Sequence, residues 1–325
     1  MHRVPVATEH KRHVRSVFAG VLLSAALSFT AQSAAAAGDG ISSTETPTTT
    51  TTTTTTSSTL PVRHHEPTTW KDWVDCPRGL TSKVRGERLT VKNHPGRPTV
   101  LQRAAALDAP LVVMLHGANG CIEKLQSQTD IEEIGTAWGV SMLWLSGAPL
   151  HGRWWNVNGR CCGNAAANKV NDYAYIRAAL KAVRSMGLTP KRVVVVGKSN
   201  GGGMAVGVGC VLHDVVDVVV SASGFKGSNC TNTGVSLVAI GGTKDKALGA
   251  AEARKITTFW RNGPLRCNNR AVTERHQTAD VSTWSCAKGR FVRLIVVRGM
   301  DHFWPTWEFM SADEEVLRIA RGELP

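Results

Sequence analysis

Residues 193 to 205 read Val193-Val194-Val195-Val196-Gly197-Lys198-Ser199-Asn200-Gly201-Gly202-Gly203-Met204-Ala205. Four consecutive valines predict a buried strand, and the small-residue stretch after Ser199 predicts a helix. Between the two lies a sharp turn, in which Gly197 and Gly201 leave no side chain to block the bend. A serine at such a turn is forced into a strained backbone conformation, and its hydroxyl stands clear at the carboxyl edge of a sheet. A Gly-x-Ser-x-Gly pattern alone says little in a chain with 31 glycines. The strand before it and the helix after it give it weight.

Chain order adds to the signal. The run Val235 to Ile240 reads as a buried strand emptying into Gly241-Gly242-Thr243-Lys244-Asp245, which puts Asp245 on a loop at a strand end. Phe291 to Val297 reads as the last strand, followed by Arg298-Gly299-Met300-Asp301-His302, and His302 is the only one of 11 histidines in that position. Three strand ends thus deliver Ser199, Asp245 and His302 in the order nucleophile, acid, base. Asp301 is a rival acid by proximity; Asp245 is preferred because adjacent side chains generally point apart.

The chemistry needs each group for its own reason. A serine hydroxyl is a poor nucleophile at neutral pH, so His302 must take its proton and later hand it to the leaving alcohol. Asp245 would fix the imidazole tautomer and stabilise the imidazolium. The oxyanion of the tetrahedral intermediate needs donors, and the backbone N–H groups of Asn200 and Ala118 are the candidates. Ala118 lies in the loop Leu115-His116-Gly117-Ala118-Asn119-Gly120, where His116 is read as structural.

These motifs, together with Trp155-Asn156, Gly159-Arg160-Cys161-Cys162-Gly163-Asn164-Ala165 and His302-Phe303-Trp304-Pro305, resemble the secreted polyhydroxybutyrate depolymerase and feruloyl esterase-like group of α/β-hydrolases. The likeness runs from about residue 98 to the C-terminus. It implies an α/β-hydrolase fold, a mostly parallel sheet with helices on both faces, with Ser199 as nucleophile, Asp245 as acid and His302 as base. One position departs from the pattern: members commonly carry His-Gly-Thr-x-Asp before the acid, and Gly241 stands here in place of that histidine.

The N-terminus carries Lys11, Arg12 and Arg15, an apolar stretch from about Val17 to Phe29, and Ala34 to Ala37, the layout of a secretory signal over residues 1–37. The stretch is short and diluted for a stable membrane insertion. Residues 38–67 form a threonine-rich linker, unbroken from Thr48 to Thr56, which has no apolar face to bury and is expected to be a disordered spacer and a candidate for O-glycosylation. The remaining 68–325 is one catalytic domain. Tyr173, Ile176, Leu180 and Val183 mark one helical face, and Ser311 with Glu314 a capping box for the last helix.

All eight cysteines follow the signal, which suits an oxidised, extracellular protein. Cys267 and Cys286 flank a strand pair and are expected to form one bridge; Cys161 and Cys162, being neighbours, are expected to reach different partners. No metal-ligand spacing appears, and no cofactor is expected. The charge of +13 falls to +10 without the first 37 residues, but the basic residues are scattered and no nucleic-acid fold motif is present, so nucleic acid is not expected as a partner.

Trp154, Trp155, Trp304 and Trp307 fall on loops near the catalytic edge, and Trp155 and Trp304 are the candidate substrate-pocket walls. The sequence therefore reads as a secreted serine esterase. Its ester substrate, small or polymeric, is either a hydroxyalkanoate polyester or a feruloyl or acetyl ester. The alternatives from other classes are a serine peptidase of the same fold and a non-catalytic cell-surface binding protein.

Overall fold

The computed structural model describes residue 76 and residues 83–149, 153–159, 161–231, 233–306 and 310–324, all within the compact unit Ser58–Pro325. The expected signal segment 1–37, the spacer 38–67 and Trp307 lie outside the described residues.

In chain order the strands are β1 (Glu87–Arg88), β2 (Thr99–Gln102), β3 (Leu111–Leu115), β4 (Ser141–Leu145), β5 (Ala148–Pro149), β6 (Arg153–Trp154), β7 (Val193–Lys198), β8 (Val218–Ala222), β9 (Ser236–Gly242), β10 (Val272–Arg275), β11 (Ala279–Ser285) and β12 (Phe291–Val297). The helices are α1 (Ile122–Ser127), α2 (Ile131–Ala137), α3 (Gly163–Ala167), α4 (Asp172–Ser185), α5 (Asn200–Val211), α6 (Ala250–Asn262) and α7 (Ala312–Arg321). Ten strands form one sheet in the order β1-β2-β4-β3-β7-β8-β9-β12-β11-β10. The middle six are parallel and both edges antiparallel. β5 and β6 make a separate two-stranded ribbon.

The valine run of β7 is apolar on both faces because both faces are covered. Val193 and Val195 pack with Ile176, Leu180, Val206, Ile256 and Trp260 of α4, α5 and α6. Val194 and Val196 pack with Ile122, Ile131, Val316 and Ile319 of α1, α2 and α7. Each fully buried side chain of this kind contributes roughly 1.5–3 kcal/mol. The buried face of α4 is Tyr175, Ile176, Ala179, Leu180 and Val183; Tyr173 is only half-buried, and Tyr175 takes the core position beside it. Ser311 caps α7, its hydroxyl accepting the N–H of Glu314.

The described cysteines pair as Cys76–Cys121, Cys161–Cys162, Cys210–Cys230 and Cys267–Cys286. The expectation that Cys161 and Cys162 reach separate partners is thus corrected. The other six cysteines are all bonded among themselves, which leaves these neighbours, with Cα atoms 3.0 Å apart, to each other.

Candidate active site

Ser199 is the residue between the end of β7 and the start of α5, at φ 55° and ψ −117°, a conformation an L-residue adopts only under constraint. The constraint is the packing of the turn. A side chain on Gly197 would place its Cβ 2.0 Å from the Gly201 carbonyl oxygen, and one on Gly201 would lie 2.4 Å from the Leu115 oxygen. The two glycines therefore let the turn close and let the first turn of α5 sit against the loop after β3.

The strand ends are laced together by backbone bonds. Ser199 N–H donates to Ala222 O (2.9 Å), Ser223 N–H to Ile240 O (2.8 Å), Thr243 N–H to Val297 O (2.9 Å) and Lys244 N–H to Met300 O (3.0 Å). This ladder runs from β7 through β8 and β9 to β12, so Ser199, Asp245 and His302 emerge along one sheet edge.

Asp245 and His302 are in direct contact: Nδ1 of His302 lies 2.8 Å from Asp245 Oδ2, and the Asp245 side chain is almost wholly buried. Its other oxygen accepts the N–H groups of Ala247 and Leu248, both at 2.9 Å. Burial pushes the Asp245 carboxyl upward, but the Leu248 N–H, the bond to and charge of His302 and the neighbouring Ser223 hydroxyl outweigh it and hold the group below its ordinary value. Asp301 instead accepts the backbone N–H of His302 at 2.8 Å. A carboxylate so held keeps Nδ1 protonated and leaves Nε2 of His302 as the basic nitrogen.

The loop after β3 carries Ala118. His116 within it is fully buried, and its tautomer is fixed by its partners: Nε2 must accept the N–H of Gly147 (2.9 Å), so Nδ1–H donates to Gly117 O (2.7 Å). Burial lowers its pKa to about 4, so it is neutral and structural. Asn119 N–H donates to Arg153 O (2.8 Å), which ties the loop to β6, and Cys121 at the start of α1 is bonded to Cys76. The N–H groups of Ala118 and Asn200 donate to no carbonyl among the described residues outside the helix itself. Asn200, at the first position of α5, has no intrahelical acceptor for its N–H.

Lys198 is buried one residue before Ser199. Burial lowers its pKa to about 7, the Asp245 charge pulling the other way.

The two tryptophans expected to wall a substrate pocket are core residues. Trp155 is fully buried, and its indole N–H donates to His116 O at 2.9 Å. Trp304 is buried and donates to Asp313 Oδ1 at 2.9 Å. Each ring is enclosed because its one polar atom finds a partner inside the protein. Both support the site from behind: Trp155 braces the loop of Ala118, and Trp304 anchors the segment after His302. No group of metal-ligating side chains occurs among the described residues.

A buried network that sequence reading missed holds the Trp155 loop. Asp172 Oδ2 accepts the N–H of Asn156 (2.6 Å), and Oδ1 pairs with Arg97 (2.5 Å). The Arg97 guanidinium also donates to Ser146 O and lies 3.7 Å over the Tyr175 ring. Partners 75 residues apart leave no local pattern to find.

No family model matches the chain. Feruloyl esterase B of Piromyces equi is 32% identical over 111 residues, a stretch covering 33% of this chain and 19% of that protein. Among solved structures, an acetyl xylan esterase from Aspergillus awamori superposes with a TM-score of 0.56 at 14% identity, over 71% of this chain and 98% of that one. The chain has the α/β-hydrolase fold. A carboxylesterase from Bacillus cereus is also similar, at a TM-score of 0.49 and 15% identity, over 70% of this chain and 95% of that one.

Proposed function

We propose that this protein is an exported serine esterase in which Ser199 attacks the ester carbonyl, His302 moves the proton and Asp245 orients His302. The observation that carries the reading is the Asp245–His302 contact at the same sheet edge as the strained turn of Ser199. In the acylation step the Ser199 oxygen bonds to the carbonyl carbon as its proton passes to His302 Nε2. The alkoxide then collapses, and the leaving alcohol takes that proton. Water repeats the sequence to release the acid and free Ser199. The N–H groups of Ala118 and Asn200 are the proposed donors to the oxyanion.

The favoured substrates are feruloyl or acetyl esters carried on plant polysaccharide. The names of the fungal feruloyl esterase and acetyl xylan esterase support that choice over a hydroxyalkanoate polyester. Export is supported by the signal layout of residues 1–37 and by eight cysteines, all of them disulfide-bonded. Among the described residues no helix is long and apolar enough to cross a membrane.

The test is fluorophosphonate labelling of the purified protein, followed by turnover of methyl ferulate, aryl acetates and hydroxybutyrate oligomers. Ser199→Ala should abolish labelling and lower kcat by on the order of 10⁴ to 10⁶ with the thermal transition unchanged. Retention of a tenth of wild-type turnover by that variant defeats the assignment.

A further inference from the structure

The residue after the nucleophile is held by its side chain as well as by its helix. Asn200 is almost fully buried, and both ends of its amide are bonded to one short loop. Its Oδ1 accepts the N–H of Trp155 (2.8 Å), while its Nδ2 donates to Trp155 O (3.1 Å) and to Cys162 Sγ (3.3 Å). Cys162 N–H donates to the same Trp155 oxygen at 3.1 Å, and Val157 N–H donates to Cys161 O. The loop is thus pinched shut on itself by these backbone bonds, and the Cys161–Cys162 bond locks the two residues at its end into a ring of their own.

The loop in turn is fixed to the body of the protein. Asn156 N–H is held by Asp172 and its Nδ2 by Val170 O, while its Oδ1 accepts Gly159 N–H. Asn200 therefore stands between two hydrogen-bonded pieces, the helix start that carries its backbone and the loop residues that grip its amide. A backbone N–H stabilises an oxyanion only if it is aimed before the charge develops, and small misdirection is costly in rate and not in ground-state binding. Nothing in a Gly-x-Ser-x-Gly turn requires a side chain of this kind at the second x.

We propose that the Asn200 side chain is a positioning group for the oxyanion hole, and that the Cys161–Cys162 bond holds the Trp155–Cys162 clamp that grips it. This rests on the assignment of Ser199 as nucleophile. The bond also makes turnover sensitive to reduction. A dithiol attacks one sulfur, the Cys161–Cys162 bond breaks, two thiols form, and the reductant leaves as its cyclic disulfide. The Cys162 sulfur is then freed from its two-residue ring and can turn away from Asn200 Nδ2.

The experiment uses the full oxidised chain and three variants: Asn200→Ala, Cys161→Ala/Cys162→Ala and Cys161→Ser/Cys162→Ser. For each, kcat and KM are measured on an aryl acetate, with the affinity for a trifluoromethyl ketone whose hemiketal oxygen occupies the oxyanion hole. Asn200→Ala and the double alanine variant should lose about 10- to 100-fold in kcat, with KM within about threefold and ketone affinity falling in parallel. The double serine variant should fall between them and the wild type, because a serine hydroxyl at 162 can still accept from Asn200 Nδ2. Graded dithiothreitol treatment of the wild type with thiol mapping supplies a reading that needs no variant: activity should track opening of Cys161–Cys162 and not of the other three pairs. Unchanged kcat and ketone affinity in Asn200→Ala, or activity that survives opening of that bond, overturns the proposal. Absence of turnover in the wild type itself would instead defeat the esterase reading.

Discussion

Asp245 and His302, 57 residues apart, share a 2.8 Å contact between Oδ2 and Nδ1, while Asp301, adjacent to His302 in sequence, takes only its backbone N–H. The carboxylate that matters to the imidazole is the one buried and tied down by Ala247 and Leu248. Asp245→Asn should therefore lower kcat by on the order of 10³ to 10⁴, because an amide in that place favours the wrong tautomer. Asp301→Asn should change it by no more than about threefold. Steady-state kinetics on one ester ranks the two, and the reverse order would transfer the acid role to Asp301.

Much of this was legible in the sequence, for identifiable reasons. β7, β9 and β12 lie in a sheet covered on both faces, so they read as unbroken apolar runs, and each leads into a turn or loop that carries one member of the proposed triad. The antiparallel strand β2, between β1 and β4, is not legible in the sequence because Thr99–Gln102 is short and partly polar and lacks such a run. Trp155 and Trp304 were misplaced because a loop tryptophan looks the same whether its indole faces substrate or His116 O and Asp313. The Cys161–Cys162 pairing and the Asn200 clamp depend on which atoms meet in space, and composition says only that eight cysteines permit full pairing.

Gly241 replaces a histidine common in the resembling group, and packing gives the reason. A Cβ at 241 would lie 2.7 Å from the carbonyl carbon and oxygen of Gly249 and 2.8 Å from Ala250 N, all backbone at the start of α6. Backbone there cannot yield as a flexible side-chain tip would. Gly241→Ala should cost about 1–3 kcal/mol, and Gly241→His more, read as a shift in the urea midpoint. A neutral Gly241→His would show that α6 can move away from β9.

Two ion pairs with similar distances should differ widely in worth. Arg97–Asp172, at 2.5 Å, is buried and also holds Asn156, whereas the forked Arg177–Asp214 pair, at 2.6 Å, has about half of each side chain exposed. Breaking the first leaves an arginine without its counter-charge in the core. Asp172→Ala should therefore destabilise by about 3–5 kcal/mol. Asp214→Ala, screened by solvent, should cost no more than about 1 kcal/mol. Equal losses in denaturant unfolding would contradict the burial argument.

Two buried groups should give stability opposite pH dependences. The unfolded chain protonates His116 near 6.5 and the folded one near 4, so between those values the unfolded state binds more protons and stability falls as pH drops. Asp313, buried and accepting from Asp130 N–H and Trp304, is pushed by burial from 3.8 to about 7. Between about 4 and 7 the folded state binds the extra proton, and this contribution is lost as pH rises. In the wild type the two slopes oppose each other. His116→Gln should leave the Asp313 slope exposed, making the variant relatively more stable toward pH 4 than toward pH 7. Asp313→Asn should leave the His116 slope, steepening the loss on acidification below about 6.5. Both variants should be less stable at neutral pH for lack of a buried hydrogen-bond partner, so the slope of unfolding free energy against pH is the deciding measurement. Parallel curves for the wild type and both variants would show that neither group is held away from its ordinary titration by the fold.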